Sequence, residues 1–137
     1  MKKYLLDTNV ISELGKSEPN IQVVNFVSGL DRAWLSMITV HEIEYGLNLL
    51  PKGSRRSQLE RNINSLMLQY AAFIVPVNYE EAEAAAILRA KAKKVGKPSH
   101  LADSLIAGTA MVHGLTVVTR NVKDFVGQEI SVENPWQ

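Results

Sequence analysis

Cysteine is absent from the 137 residues, which excludes a disulfide scaffold, thiolate-bound zinc, iron–sulfur ligation and thiol catalysis. Any metal would have to be held by oxygen or imidazole. No apolar run approaches membrane-spanning length. The stretch Tyr4-Leu5-Leu6 that follows Met1-Lys2-Lys3 is too short for a signal-peptide core, so a cytoplasmic protein with no membrane association is expected. Linkers, internal repeats and low-complexity segments are also missing. No sign of charge dominates, since the net charge is +1. The balance is uneven along the chain, however: residues 1–50 carry −2, residues 51–100 carry +5 and residues 101–137 carry −2. What is present is an ordinary globular composition, 46% hydrophobic and 21% charged. Against a prior of about 150 residues per domain, that predicts one domain over residues 1–137 with a core that folds without a staple.

Short apolar runs at Tyr4–Leu6, Ala33–Ser36, Phe73–Val77 and Leu115–Thr119 alternate with stretches of helical spacing. Strands separated by helices imply crossovers and a mostly parallel sheet, an α/β fold. Helices are predicted over Asn20–Gly29, from Thr39 to Leu50 with Pro51 stopping it, over Ser54–Tyr70, from an Asn78 cap with Glu81 at the capping-box position to Gly96, and from a Ser99 cap through Leu101–His113 to Gly114.

Ligands of an open parallel sheet gather outside the carboxyl ends of its strands. Asp7 directly follows the first strand, Glu42 falls in the first turn of the helix leaving the second, and Asn121 and Asp124 follow the last strand. Asp103 opens a helix, and the sequence leaves open which strand end it faces. Carboxylates gathered in one cleft repel one another and call for proton uptake or a cation. An all-oxygen site suits Mg²⁺ or Mn²⁺, ions that activate water and stabilise displacement at phosphorus. Each acid also has a plainer explanation: Asp7 as a turn or helix cap, Glu42 as the far member of a Thr39-Val40-His41-Glu42 capping box, Asp103 as a complement to a helix dipole, Asp124 as a solvated loop residue.

Four segments, in order and spread over essentially the whole chain, sharpen this reading. They are Leu5-Leu6-Asp7-Thr8-Asn9, Ser36 through Gly46 with Glu42 at its centre, Ala102-Asp103-Ser104 through Ala110, and Val118-Thr119-Arg120-Asn121-Val122-Lys123-Asp124-Phe125. The set resembles the successive motifs of PIN-domain ribonucleases, and within them the VapC-type and FitB-like toxins of bacterial toxin–antitoxin pairs. The resemblance implies a three-layer α/β/α fold around a mostly parallel sheet of four to five strands. It also implies a Mg²⁺- or Mn²⁺-dependent endoribonuclease, a cognate antitoxin as partner, RNA as substrate and a homodimer. Carried over residue by residue, Asp7, Glu42 and Asp103 are the metal-holding acids, and Asp124 completes the catalytic set. Thr8, Thr119 and Asn121 support it. Many relatives carry an acid at the position of Asn121, whereas others rely on the position of Asp124.

The basic residues come in two bursts. Arg55, Arg56 and Arg61 in the first, and Lys91, Lys93 and Lys94 in the second, read either as an RNA-binding rim or as solvated helix faces. His41-Glu42 opens like a zinc-protease helix, but Tyr45 stands where the second histidine must be. A haloacid-dehalogenase-type phosphatase would explain Asp7, although Asn9 occupies the position of its second aspartate. A non-catalytic module that binds nucleic acid or a partner is the remaining alternative. Met37, Met67, Met111 and Trp34 read as core, His113 as a cation at a helix end and His100 as exposed. Trp136 reads as a packing anchor or a partner contact.

Overall fold

The computed structural model describes residues 2–137. The chain runs β1 (Tyr4–Leu6), α1 (Thr8–Leu14), α2 (Ile21–Ser28), β2 (Ala33–Ser36), α3 (Met37–Leu49), α4 (Ser54–Tyr70), β3 (Ile74–Val75), α5 (Tyr79–Lys94), α6 (Leu101–His113), β4 (Thr116–Val118) and β5 (Val132–Glu133). Short 3-10 turns at Ala71–Phe73 and Val122–Phe125 complete it. The five strands form one sheet in the order β3-β2-β1-β4-β5, and every pairing is parallel. From β1 the chain builds outward through β2 to β3, then returns to the other side of β1 for β4 and β5. The strand order therefore reverses between β1 and β4, the point at which an open α/β sheet leaves a crevice at its carboxyl edge.

Parallel strands covered on both faces show continuous apolar runs whose successive side chains point to opposite sides. Leu6, Leu35 and Val118 of the sheet pack with Val10, Ile11, Val23, Ile43, Leu47 and Ile63 of the layer built by α1 to α4. Their neighbours Leu5 and Val117 pack with Leu88, Ile106, Ala107 and Ala110 of the layer built by α5 and α6. These are the expected three layers. The contact between α5 and α6 depends on Gly108: a Cβ there would stand 2.5 Å from the Ala85 nitrogen and 2.7 Å from the Glu81 carbonyl oxygen. Gly114 ends α6 in the left-handed region at φ 66°, where glycine carries no Cβ penalty.

Several element boundaries differ from the sequence expectation for identifiable reasons. The helix expected from Thr39 starts at Met37, because Ser36 ends β2 and its Oγ accepts from Ile38 N at 3.0 Å. Thr39 is therefore buried inside the helix, the capping box it would form with Glu42 is absent, and Glu42 lies in the second turn rather than the first. Ser99 does not cap α6; His100 occupies the cap position and Ser99 Oγ pairs with Ser104 Oγ at 2.6 Å. The third strand shrinks from Phe73–Val77 to Ile74–Val75, since a 3-10 turn precedes it and Pro76 has no N–H to pair. Helix α1 and strand β5 lie outside the predicted helix and strand segments.

Met37 and Met111 are exposed rather than core, whereas Met67 packs against the core and Trp34 lies half-buried edge-on to Phe73. The Asn78 N–H donates to Glu81 Oε1 at 2.8 Å, as a capping box requires. His113 closes α6 with its Nε2 3.0 Å from Glu81 Oε2, tying the helix pair together. Among the described residues, no helix is long and apolar enough to cross a membrane.

Candidate active site

A cleft of about 400 Å³ opens at the carboxyl edge of the sheet, and Asp7, Thr8, Glu42, Asp103, Asn121 and Asp124 all line it. The four acids each arrive on a different piece of secondary structure or its flank. Asp7 follows β1 and caps α1, its Oδ1 accepting from Thr8 N at 2.8 Å. The cap explanation and the cleft placement thus hold together for the same side chain. Glu42 projects from α3, Asp103 from the first turn of α6, and Asp124 from the 3-10 turn after β4.

Thr119 lies beneath the cleft, fully buried. Its Oγ1 donates to Asp7 Oδ2 at 2.9 Å and accepts from Asn9 Nδ2 and from Asn121 N, both at 3.1 Å. Thr8 Oγ1 donates to Glu42 Oε1 at 2.5 Å. The two threonines therefore fix the two acids that stand furthest apart in kind, one at a strand end and one on a helix. Asn121 contributes backbone geometry: its carbonyl accepts from Asp124 N at 2.9 Å, which holds the turn carrying Asp124.

The electrostatics follow from the crowding. Burial pushes the Asp7 carboxyl above the ordinary aspartate value, the hydrogen bonds from Thr119 and Thr8 N oppose this, and the charges of Glu42 and Asp124 add to the rise. Desolvation, then the negative charges of Asp7, Asp124 and Glu42, lift Asp103 to about 6 against the opposing effect of His100. Among the described residues no three acidic or imidazole side chains stand close enough to form a ready-made cation cage. The donor set still suits a hard divalent cation, because the cleft offers carboxylate, hydroxyl and amide oxygens and no imidazole.

Residues that the sequence does not assign to the site also line the cleft: Asn9, Ser12, Glu13, Lys16, Arg120 and Trp136. Glu13 is buried, held below the ordinary glutamate value first by Lys16, whose Nζ is 2.9 Å away, with a further hydrogen bond from Asn20 N. Asn9 and Arg120 could have been found from their place inside two of the four motifs. Trp136 carries no such signal.

None of the six basic residues expected to meet RNA lines this cleft. Arg56 is occupied structurally: it binds Glu60 Oε1 at 2.6 Å, the Leu50 carbonyl at 3.1 Å and Asn48 Oδ1 at 3.3 Å, joining α4 to the end of α3. Arg61 bonds Gln58 at 2.7 Å, and Lys91 stands 3.5 Å from Glu129. Arg55 and Lys94 are exposed, and Lys93 lines a separate groove between α5 and α6.

A parallel sheet with a strand-order reversal, flanked by helices and carrying acids from scattered segments at its carboxyl edge, defines a PIN-type fold. The PIN domain model matches residues 4–125, and the chain belongs to that family. It is 41% identical to the toxin FitB of Neisseria gonorrhoeae over 96% of this chain and 97% of that protein. It is 37% identical to the VapC ribonuclease Y4jK of Sinorhizobium fredii over 97% of each. The solved structure of FitAcB from Neisseria gonorrhoeae superposes with a TM-score of 0.89 at 39% identity, covering 98% of this chain and 99% of that one. The haloacid-dehalogenase alternative finds no support in this set.

Proposed function

We propose that residues 1–137 form a single PIN domain acting as a divalent-cation-dependent endoribonuclease, the toxin of a toxin–antitoxin pair. The observation that carries this reading is the convergence of Asp7, Glu42, Asp103 and Asp124 on one cleft from four separate elements. Of the four only Asp7 is a helix cap; Glu42, Asp103 and Asp124 cap nothing and still line the cleft, as a site for phosphodiester hydrolysis needs. The kinship to a protein named as a ribonuclease and to one named as a toxin supports the same class.

In this reading Asp7, Glu42 and Asp103 hold Mg²⁺ or Mn²⁺, and Asp124 adds negative charge to the set. The bound ion would supply Lewis acidity and an activated water for hydrolysis of the phosphodiester. The protein's own part is to aim the acids. Thr119 donates to Asp7 and Thr8 donates to Glu42, so each carboxylate presents its remaining lone pairs to the cleft. Asp124 is preferred over Asn121 as the fourth member, because its charge acts on both Asp7 and Asp103. A cognate antitoxin restrains the enzyme, and the working form is a homodimer, as the resemblance to FitB-like toxins implies.

The test is to purify the protein free of partner and incubate it with total RNA and Mn²⁺, with and without EDTA. Discrete fragments that vanish with chelator are expected. RNA binding without cleavage under any divalent metal would instead make the chain a binding module.

A further inference from the structure

An acidic cleft repels the substrate it is proposed to cut, so a polyanion needs local positive charge to enter. Among the residues lining the cleft only Lys16 and Arg120 are basic. Lys16 is paired with Glu13 at 2.9 Å. Arg120 has no ion pair among the described residues, and its guanidinium lies over the Trp136 ring, 5.4 Å from the centroid.

We infer that Arg120, braced on Trp136, is a phosphate-binding subsite of the cleft that seats single-stranded RNA beside the acids. The inference rests on the ribonuclease reading and names a contact that the reading leaves out. Its physical basis is the way Arg120 is held. The Arg120 N–H donates to Asn9 Oδ1 at 3.2 Å, and the same Asn9 donates to Thr119, which donates to Asp7. Three hydrogen bonds therefore tie the arginine backbone to the buried aspartate. On the other side the Arg120 carbonyl accepts from Asn134 Nδ2 at 3.4 Å, while Asn134 Oδ1 accepts from Trp136 N at 2.8 Å.

The segment after β5 is thus folded back to place an indole at the cleft, with part of that indole packed on the core. A guanidinium lying over an aromatic ring keeps N–H donors available for a phosphate. The α4 and α5 bursts offer no such connection to the acids.

The experiment measures binding of a short, mixed-sequence 2′-O-methyl RNA oligonucleotide in EDTA, by fluorescence anisotropy, from about 50 to 200 mM salt. Arg120→Ala should weaken binding about tenfold at low salt and make the plot of log affinity against log salt shallower by about 0.7, one phosphate contact on a single strand. Arg120→Lys keeps the charge and should keep the slope while losing affinity. Trp136→Phe should stay near the parent, and Trp136→Ala should approach Arg120→Ala. Should Trp136→Ala fail to fold, the exposed Arg120 variants decide alone. A purely structural role for the pair would leave the salt slope untouched. Parent-like affinity and slope in Arg120→Ala, or a parent that cuts RNA yet shows no salt-dependent binding, overturns the subsite and leaves the ribonuclease reading standing. A parent that neither binds nor cuts RNA overturns both.

Discussion

Replacing Asp103 by Asn should make the metal-free protein more stable while disabling it. Asp103 sits half-buried in the first turn of α6, facing Asp7, Asp124 and Glu42, and these surroundings raise its pKa from 3.8 to about 6. Each tenfold change in proton affinity is worth about 1.4 kcal/mol, so the charged form carries a penalty of up to about 3 kcal/mol in the folded state. The side chain is only partly buried, so solvent screens the repulsion and leaves about 1.5 kcal/mol. The favourable contact of a carboxylate with the α6 N-terminus, about 0.5 kcal/mol, is lost with the charge.

The net expectation is a gain of about 1 kcal/mol at pH 7, or roughly 3–4 °C in Tm for a chain of this size. The sign follows from linkage. A carboxylate with a raised folded pKa destabilises above that pKa, and the penalty fades as pH falls from about 6 toward 3.8. Parent and variant should therefore converge in thermal melts by about pH 4, while Glu13 and Glu81, both held below the ordinary glutamate value of 4.5, withdraw stability from parent and variant alike as pH falls through that value and below. Added Mn²⁺ should raise the parent Tm and move the variant far less. A variant that melts below the parent at pH 7 without metal, or a gap that ignores pH, would refute the crowding argument and make Asp103 a helix-dipole residue.

Three further outcomes follow from particular contacts. Gly108→Ala should destabilise by about 2–3 kcal/mol, read in urea melts, because the new methyl meets α5 backbone that cannot rotate aside. Thr119→Val keeps the shape but removes the hydroxyl that serves Asp7, Asn9 and Asn121, at about 1–3 kcal/mol; cleavage should fall sharply, and Thr119→Ser should restore most of it. Asp124→Asn should raise the Mn²⁺ concentration for half-maximal cleavage, by less than Asp7→Asn, and Asn121→Ala should cost less still. A parent-like titration for Asp124→Asn beside a large shift for Asn121→Ala would reverse the choice between them.

The sequence by itself determined the features that depend on local chemistry. The apolar doublets Leu5-Leu6 and Val117-Val118 predict strands buried on both faces, because alternate side chains must each find a layer. Asn78, Gly114 and Pro51 mark helix ends through caps and a missing N–H. The rule that a parallel sheet exposes its carboxyl edge puts Asp7, Glu42, Asn121 and Asp124 on one side from strand order in the chain alone.

What only the tertiary structure decided depends on which surfaces meet. The direction of Asp103 follows from the packing of α6 on α5 at Gly108, a contact between helices that neither states alone. The seven-residue α1 and two-residue β5 are too short for a periodicity to register, and exist because Asp7 caps one and β4 pairs with the other. The bursts on α4 and α5 look alike as charge, yet only the fold shows that Arg56 fastens α3 to α4 and that none of the six turns to the cleft. Trp136 reaches Arg120 across the sheet edge for the same reason: a chain's spacing sets the face a residue takes on its own element, and strand order sets what that face meets.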